Sequence, residues 1–500
     1  MSAFRALVLA SVLALPGCAG KQPPRTSAPR PSPALQDVRS DLARVFGAPI
    51  MERGVWAVDV TSLSTGEHLY SLNAGKLMMP ASNLKILTLA AAAETLGWDY
   101  RFTTTLEARG SISAGVLRGD LIVRSNGDPT INARNGRANA VWGEWIAALT
   151  AAGITSIEGR IVGDDQAFDD EGIGAGWAWD YLQYSYAAPV GALEVNENTA
   201  ALLVLPGSSP GTPISVDLTP GSGFVLVNRA ITGAPGSEDR IEYRRSIDRA
   251  VLEVTGSIPA GAGASRYFVA VVNPTLYYVR SLKDALVAGG IAVSGDAVDL
   301  DDMAAEVLMA PPTDTRVLAS TQSPPLREIA AVMMKVSQNL YAETLLKALG
   351  AAHGGLGTAE GGRIAVHTVL DGWGVPRDAY VMYDGSGLSR YDYVTAGTLT
   401  TVLERMYRDP RHRDAFLATL PIAGRDGTLA SRLVRTRAEG NALAKTGSIS
   451  NVRALSGFVR TRDDEMLAFS ILANDFPIQA ATVNYIADLA IEILSNFTRK

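Results

Sequence analysis

Helix and hairpin patterns at both ends of this chain, separated by a long stretch of strand pattern, narrow its possible folds more than any other feature. Residues 54–73 (GVWAVDVTSLSTGEHLYSLN) hold two strand-like runs around Ser64 to Gly66, which predicts a hairpin. Residues 80–97 (PASNLKILTLAAAAETLG) predict a helix that Pro80 opens and Gly97 ends. Helical pattern returns at 324–350, two antiparallel strands are expected over 452–461 and 465–474, and a last helix over 477–497. The segments between, around 115–130, 153–168, 214–228 and 241–258, alternate apolar and polar residues between Gly, Pro and Asp turns. The expected fold is therefore multi-domain α/β, with one helix-flanked domain interrupted by a large β-rich insertion. At 500 residues, 47% of them hydrophobic, the chain is long enough for two or three cores.

A net charge of -6 and a sequence pI near 5.5, with no basic stripe, exclude a general nucleic-acid binder. The opening MSAFRALVLASVLALPGC joins Arg5 to a short apolar run and reads as an export signal over 1–18. Its Leu-Pro-Gly-Cys end resembles a bacterial lipobox, which makes Cys18 the expected lipidation site and a lipid anchor the expected link to a membrane. Ala19, where inner-membrane lipoproteins often have aspartate, points to the outer membrane and the periplasm. Cys18 is the only cysteine, so no internal disulfide is expected. Residues 19–40, rich in Pro, Ser and basic groups, read as an extended tether. No other stretch has the length and apolarity of a membrane span.

Only eight residues are lysine against 37 arginines, so each lysine is informative. Arginine keeps its proton in proteins, whereas a desolvated lysine can lose its own near neutral pH. Lys85 interrupts an apolar helical run three residues after Ser82, and that spacing brings hydroxyl and amine to one helix face. The helix N-terminus favours negative charge developing near the serine oxygen. The pair therefore fits a nucleophile and its general base. It also fits a helix cap followed by a snorkelling lysine.

Two further motifs bear on that choice. Ser337-Gln338-Asn339 lies between two helical patterns, and Lys445-Thr446-Gly447-Ser448 opens the late strands. In this order the three resemble the Ser-x-x-Lys, Ser-x-Asn and Lys-Thr-Gly motifs of penicillin-binding proteins and serine β-lactamases. With GDPT, YAAPVGALEVNENT, DGSGLSR, LPIAGRDGTL and AKTGSISNVRALSGFV, the chain resembles the D-alanyl-D-alanine carboxypeptidase/endopeptidase family of low-molecular-mass class C, peptidase family S13, over most of residues 45–495.

The resemblance implies a β-lactamase/transpeptidase-like catalytic domain over 41–102 and 312–500, an inserted domain over 103–168 and 270–311, and a nested domain over 169–269. It implies Ser82 as acylated nucleophile, Lys85 as base, Ser337 as proton shuttle, Asn339 as binder of a substrate amide, and Lys445 as support of the proton network. It assigns Thr446, Gly447 and Ser448 to substrate binding and the amides of Ser82 and Ser448 to an oxyanion hole. Asp164 and Arg390 fall where some relatives hold a diaminopimelate side chain; a turn aspartate and an ion-paired arginine account for them equally. Gln338 stands where the family often has Asp, and Ser448 where it often has Thr.

The implied partners are peptidoglycan stem peptides, with β-lactams as covalent inhibitors and no cofactor. Rival readings are a catalytically weak peptidoglycan-binding relative and a β-lactamase, although no Glu-x-x-Leu-Asn segment is present and Glu194 and Glu197 do not supply one.

His68, His353, His367 and His412 have no ligand spacing, so no metal site is expected. GLGTAEGGR lacks the strand and the lysine-serine pair of a phosphate loop. The tryptophans of GWAWDYL read as loop anchors ahead of sugar-stacking groups.

Overall fold

The computed structural model describes residues 33–246, 249–303, 315–352 and 355–500. The two ends of the chain build one five-stranded antiparallel sheet, ordered His68–Leu72, Val55–Ser62, Met466–Asn474, Val452–Arg460, Leu443–Ile449. Because strand side chains alternate, its central strands bury both faces. Val58, Val60, Leu455 and Phe469 pack toward the helices Pro33–Phe46 and Ala480–Asn496. Ala57, Ala454, Phe458 and Leu472 face a larger cluster around the helices Lys85–Thr95, Leu326–Lys335, Asn339–Ala351, Ala359–Gly372 and Ala396–Arg408. Helix Lys85–Thr95 lies at the centre of that cluster, buried along Lys85 to Ala93. Its alanines allow this, since they let neighbouring helices approach closely without losing helix propensity.

Two expected boundaries move. Pro33–Phe46 is helical, with Leu35 and Val38 buried, so the stretch expected as tether up to residue 40 ends in an amphipathic helix packed against Ala480–Asn496. Strand Thr315–Gln322, expected in the catalytic domain, pairs antiparallel with Thr103–Ser113 and completes the inserted sheet. Residue 312 itself lies outside the described residues, as do 1–32 with Cys18.

Among the described residues the inserted sheet has seven strands, including Thr103–Ser113, Val116–Ser125 and Ile161–Asp164. Two helices that the strand-like reading missed, Arg137–Ala151 and Pro274–Ala288, pack on it through Trp142, Trp145, Tyr278 and Leu282. The strands from Thr199–Leu205 to Ser265–Ala270 form smaller sheets around a separate core of Leu202, Val204, Leu252, Val254 and Val269. The segment before them, from about Gly174 to Tyr186, returns to the catalytic unit. There Trp177 Nε1 donates to Asp384 at 2.9 Å and the Ala175 carbonyl accepts from Ser389 Oγ at 2.6 Å.

Candidate active site

Ser82 lies in a tight 3-10 turn, Ala81–Leu84, that runs directly into helix Lys85–Thr95. Ala81 holds φ +45, a conformation that non-glycine residues reach only at some cost, and the turn re-aims the chain so that Ser82 points out of the buried helix end. Lys85 is fully buried, and its Nζ meets three oxygens: Ser82 Oγ at 3.0 Å, Asn339 Oδ1 at 2.6 Å and the Ser386 carbonyl at 2.8 Å. Two of those partners are carbonyl oxygens that only accept. A neutral amine has two N–H groups for them and one lone pair left, facing Ser82. Burial supplies that neutral form, lowering Lys85 to about 7 against the opposing pull of Asp384, Glu343 and Asp392. A cap followed by a snorkelling lysine would place the amine in water, and this amine has none of its surface there.

The second motif falls in the break between helices Leu326–Lys335 and Asn339–Ala351. Ser337 turns the chain at φ +63, and Gln338 caps the second helix by accepting from Leu340 N at 3.1 Å. Asn339 is fixed from both ends of its amide, since its Nδ2 donates to the Tyr186 carbonyl at 2.7 Å. The third motif runs along the edge strand Leu443–Ile449. Lys445, also fully buried, donates to Ser337 Oγ and to the Thr446 carbonyl, both at 2.8 Å. Burial and the neighbouring Lys85 push its amine well below the ordinary lysine range. Asn83 Nδ2 donates to the Lys445 carbonyl at 3.0 Å and ties the edge strand to the serine turn.

These residues open onto a cavity of about 390 Å³, lined by Ser82, Ser337, Asn339, Thr446, Ser448 and, on the far wall, Tyr181 and Tyr186. A hydroxyl with a neutral amine behind it, and a second hydroxyl bonded to a second depressed amine, give one proton acceptor and one proton relay on the two sides of a bound carbonyl. That is the equipment for acyl transfer through a serine ester.

The structure brings Ser82, Lys85, Ser337, Asn339, Lys445, Thr446, Gly447 and Ser448 together. Arg390 reaches the rim indirectly: its Nη2 donates to Tyr181 Oη at 3.1 Å, and Tyr181 Oη lies 3.3 Å from Ser450 Oγ. Asp164 is not at the cavity. It ends a strand of the inserted sheet, paired in register with Arg124, whose guanidinium holds the Asp164 carboxylate at 2.7 Å. Glu194 accepts from Thr344 Oγ1, and Glu197 pairs with Arg134.

Sequence reasoning missed Tyr181, Tyr186, Thr428 and three buried acids behind Lys85: Glu343, Asp384 and Asp392. The DGSGLSR stretch holding Asp384 offered a signal, because an acid followed by two turn glycines suits a loop that wraps a carboxylate.

Among the described residues, two groups of three ligand-type side chains converge, Glu94–Asp409–His412 and Asp165–Asp299–Asp301, both away from the cavity. At His412, Trp98 Nε1 donates to Nδ1 at 3.1 Å and Nε2 faces Glu94 at 2.7 Å, so both ring nitrogens are already engaged. His353 lies outside the described residues.

The model of the D-Ala-D-Ala carboxypeptidase 3 (S13) family matches residues 38–495. The chain is 37% identical over 455 residues to the D-alanyl-D-alanine carboxypeptidase of Actinomadura sp. (strain R39), covering 88% of this chain and 81% of the relative. It is 28% identical over 431 residues to D-alanyl-D-alanine carboxypeptidase DacB of Haemophilus influenzae, covering 83% and 84%. The crystal structure of penicillin binding protein 4 (dacB) from Haemophilus influenzae superposes with a TM-score of 0.79 at 26% identity, over 92% of this chain and 99% of that one. This chain therefore belongs to the D-Ala-D-Ala carboxypeptidase 3 (S13) family, and with it to the serine-type D-alanyl-D-alanine carboxypeptidases.

Proposed function

We propose that Ser82 is the acylated nucleophile and Lys85 its base, and that the enzyme trims and cleaves peptidoglycan stem peptides. The observation that carries this is the contact between Lys85 Nζ and Ser82 Oγ, with the other two Nζ partners both acceptors. Ser82 Oγ attacks the carbonyl carbon between two D-alanines while Lys85 takes its proton. The carbonyl oxygen gains the negative charge, stabilised by the amides of Ser82 and Ser448. Collapse breaks the C–N bond, and Ser337 passes a proton to the leaving amine and is resupplied by Lys445, which recovers the proton that Lys85 took, so Lys85 is neutral again. Water then attacks the ester carbon, giving a proton to Lys85, and Lys85 returns that proton to Ser82 Oγ as the ester C–O bond breaks.

Asn339 binds a substrate amide, while Thr446 and Ser448 receive the terminal carboxylate beside Lys445. A carboxylate arriving there raises the Lys445 pKa toward the charged form, so substrate assembles its own counter-ion. Releasing D-alanine gives carboxypeptidase action; releasing a cross-linked amine gives endopeptidase action. β-Lactams enter by the same attack and leave a slowly hydrolysed ester on Ser82. The export signal and Cys18 support a periplasmic, lipid-anchored enzyme on the outer membrane; among the described residues no helix is long and apolar enough to cross one.

Fluorescent penicillin labels the wild type and not Ser82→Ala if this reading holds, and purified muropeptides lose D-alanine or are cleaved at cross-links by mass spectrometry. An unlabelled wild type would overturn it. Radiolabelled palmitate incorporated by wild type and not by Cys18→Ala tests the anchor.

A further inference from the structure

Behind Lys85, Asp384 and Asp392 are almost wholly buried, and they differ in their surroundings. Asp384 is surrounded by donors: the amides of Ser386, Gly387 and Ser389 at 3.1, 2.6 and 2.7 Å, and Trp177 Nε1 at 2.9 Å. Asp392 Oδ1 accepts from the amides of Tyr383 at 2.6 Å and Asp384 at 3.4 Å, which sets its carboxyl in contact with Asp384, but its Oδ2 is buried with no donor. Two anions cannot share that contact, and a buried carboxylate oxygen without a donor is costly.

We propose that Asp392 keeps its proton at neutral pH and donates it from Oδ2 to Asp384, forming a carboxylic acid–carboxylate pair that positions Lys85. The pair fixes the 384–389 turn, whose Ser386 carbonyl takes one of the Lys85 N–H groups. It also removes one negative charge from the field at Lys85. The charged and titratable groups facing this pair are Glu343 on the adjacent helix, which accepts from the amides of Gly385 and Ser386, and Lys85 itself, with Lys445 beyond it. Burial, then Asp384, holds Asp392 well above the usual carboxylate range, in keeping with this arrangement. Were all three acids ionised, their summed attraction would favour the ammonium form of Lys85 and leave Ser82 without a proton acceptor. Asp392 is thus a positioning residue, acting through Asp384 and Ser386, and its role in catalysis rests on Lys85 being the base.

Infrared difference spectra of full-length enzyme labelled with 13C at the aspartate side-chain carboxyl test the proton directly. An aspartic-acid carbonyl band, shifted by the label, is expected at pH 8 in the wild type and absent from Asp392→Asn. A wild type without such a band, or a band that survives in a folded Asp392→Asn, overturns the proposal. The acid limb of penicillin acylation against pH supplies a second readout. Asp392→Asn replaces a neutral group with a neutral one, so the limb stays in place whatever its height. Asp384→Asn removes a charge and moves it to lower pH. A downward shift of about one pH unit in Asp392→Asn, the effect of losing an ionised neighbour, overturns the proposal. Should that variant not fold, the wild-type band decides. If Lys85→Arg acylates normally the base assignment fails, while the infrared result stands or falls independently.

Discussion

A Cβ on Gly447 would lie 2.7 Å from the Pro80 carbonyl oxygen, so the strand bearing Lys445 and the turn bearing Ser82 touch where only hydrogen fits. Ala454 Cβ and Asn83 Nδ2 close the other sides at 2.9 and 3.1 Å. Gly447→Ala must push the edge strand away from the serine turn and stretch the bond from Asn83 to the Lys445 carbonyl. We expect penicillin acylation to fall about 100-fold, as small displacements at a reacting centre do, with a stability loss of about 1–3 kcal/mol from overpacking. Stopped-flow acylation and urea unfolding measure the two; an acylation rate within twofold of wild type would show that the strand is not held by this contact.

Lys85→Arg keeps the charge and loses the base. Arginine cannot give up its proton, and its fork does not fit three oxygens arranged for one amine. Acylation should fall by about 10²–10⁴, the usual share of a general base. In the wild type the same rate should decline as pH falls through about 7, where Lys85 becomes protonated. A flat profile from pH 6 to 9 would remove lysine as the base.

How much of this was legible in the sequence depended on whether a residue announces its surroundings. The spacing of Ser82 and Lys85, and the helix break at Ser337, are local facts that survive folding unchanged. The hairpin at 64–66 and the last two strands were equally legible, because short, nearly continuous apolar runs on either side of a polar turn report strands of a sheet covered on both faces. Helix Pro274–Ala288 was missed although Asn273 caps it, Pro274 opens it and Gly289–Gly290 follow it; the surrounding strand pattern masked those signals. Asp164 and Asp392 show the harder limit. Each is an aspartate near turn residues, yet one is neutralised by Arg124 from a neighbouring strand and the other faces a second acid. Only the tertiary pairing separates them.

Glu343 should tilt stability with pH. Burial, then Asp384, raises its carboxyl from 4.5 to about 8. The folded state therefore binds a proton more tightly than the unfolded chain, and that stabilisation is complete below about pH 4.5 and lost as pH rises through about 8. Glu343→Gln lacks this titration. Measured by thermal unfolding, the wild type should lose Tm relative to Glu343→Gln on going from pH 5 to pH 8. A constant difference across that range would place the Glu343 proton elsewhere. Lys85 works in the opposite sense between about 7 and 10.5, so the comparison is cleanest below pH 7.

Arg390 should sort substrates by their side-chain charge. Its guanidinium reaches the cavity rim through Tyr181, where a substrate carboxylate could take a charge-assisted bond. In Arg390→Ala, kcat/KM for stem peptides carrying a free carboxylate on the third residue should fall about tenfold more than for neutral analogues, mostly through KM. Equal losses for both would mean that Arg390 only braces Tyr181.

The backbone at Ser337 allows strain and chemistry to be separated. Its φ of +63 costs a residue with a Cβ about 1 kcal/mol, and its hydroxyl is the partner of the buried Lys445 amine at 2.8 Å. Ser337→Ala keeps the strain and removes the hydroxyl; Ser337→Gly removes both. Turnover of D-Ala-D-Ala peptides should fall to a similar degree in the two, by about 10²–10⁴ if the hydroxyl relays the proton. Stability should divide them. Glycine gains from the left-handed conformation and loses part of that gain through a freer unfolded chain, so Ser337→Gly should be the more stable of the two by up to about 1 kcal/mol. That order is the reverse of the one found inside a helix, where alanine wins. If Ser337→Ala proves more stable in urea unfolding, the turn is not strained as its dihedral implies; if the two differ tenfold or more in turnover, backbone placement rather than the hydroxyl controls the step.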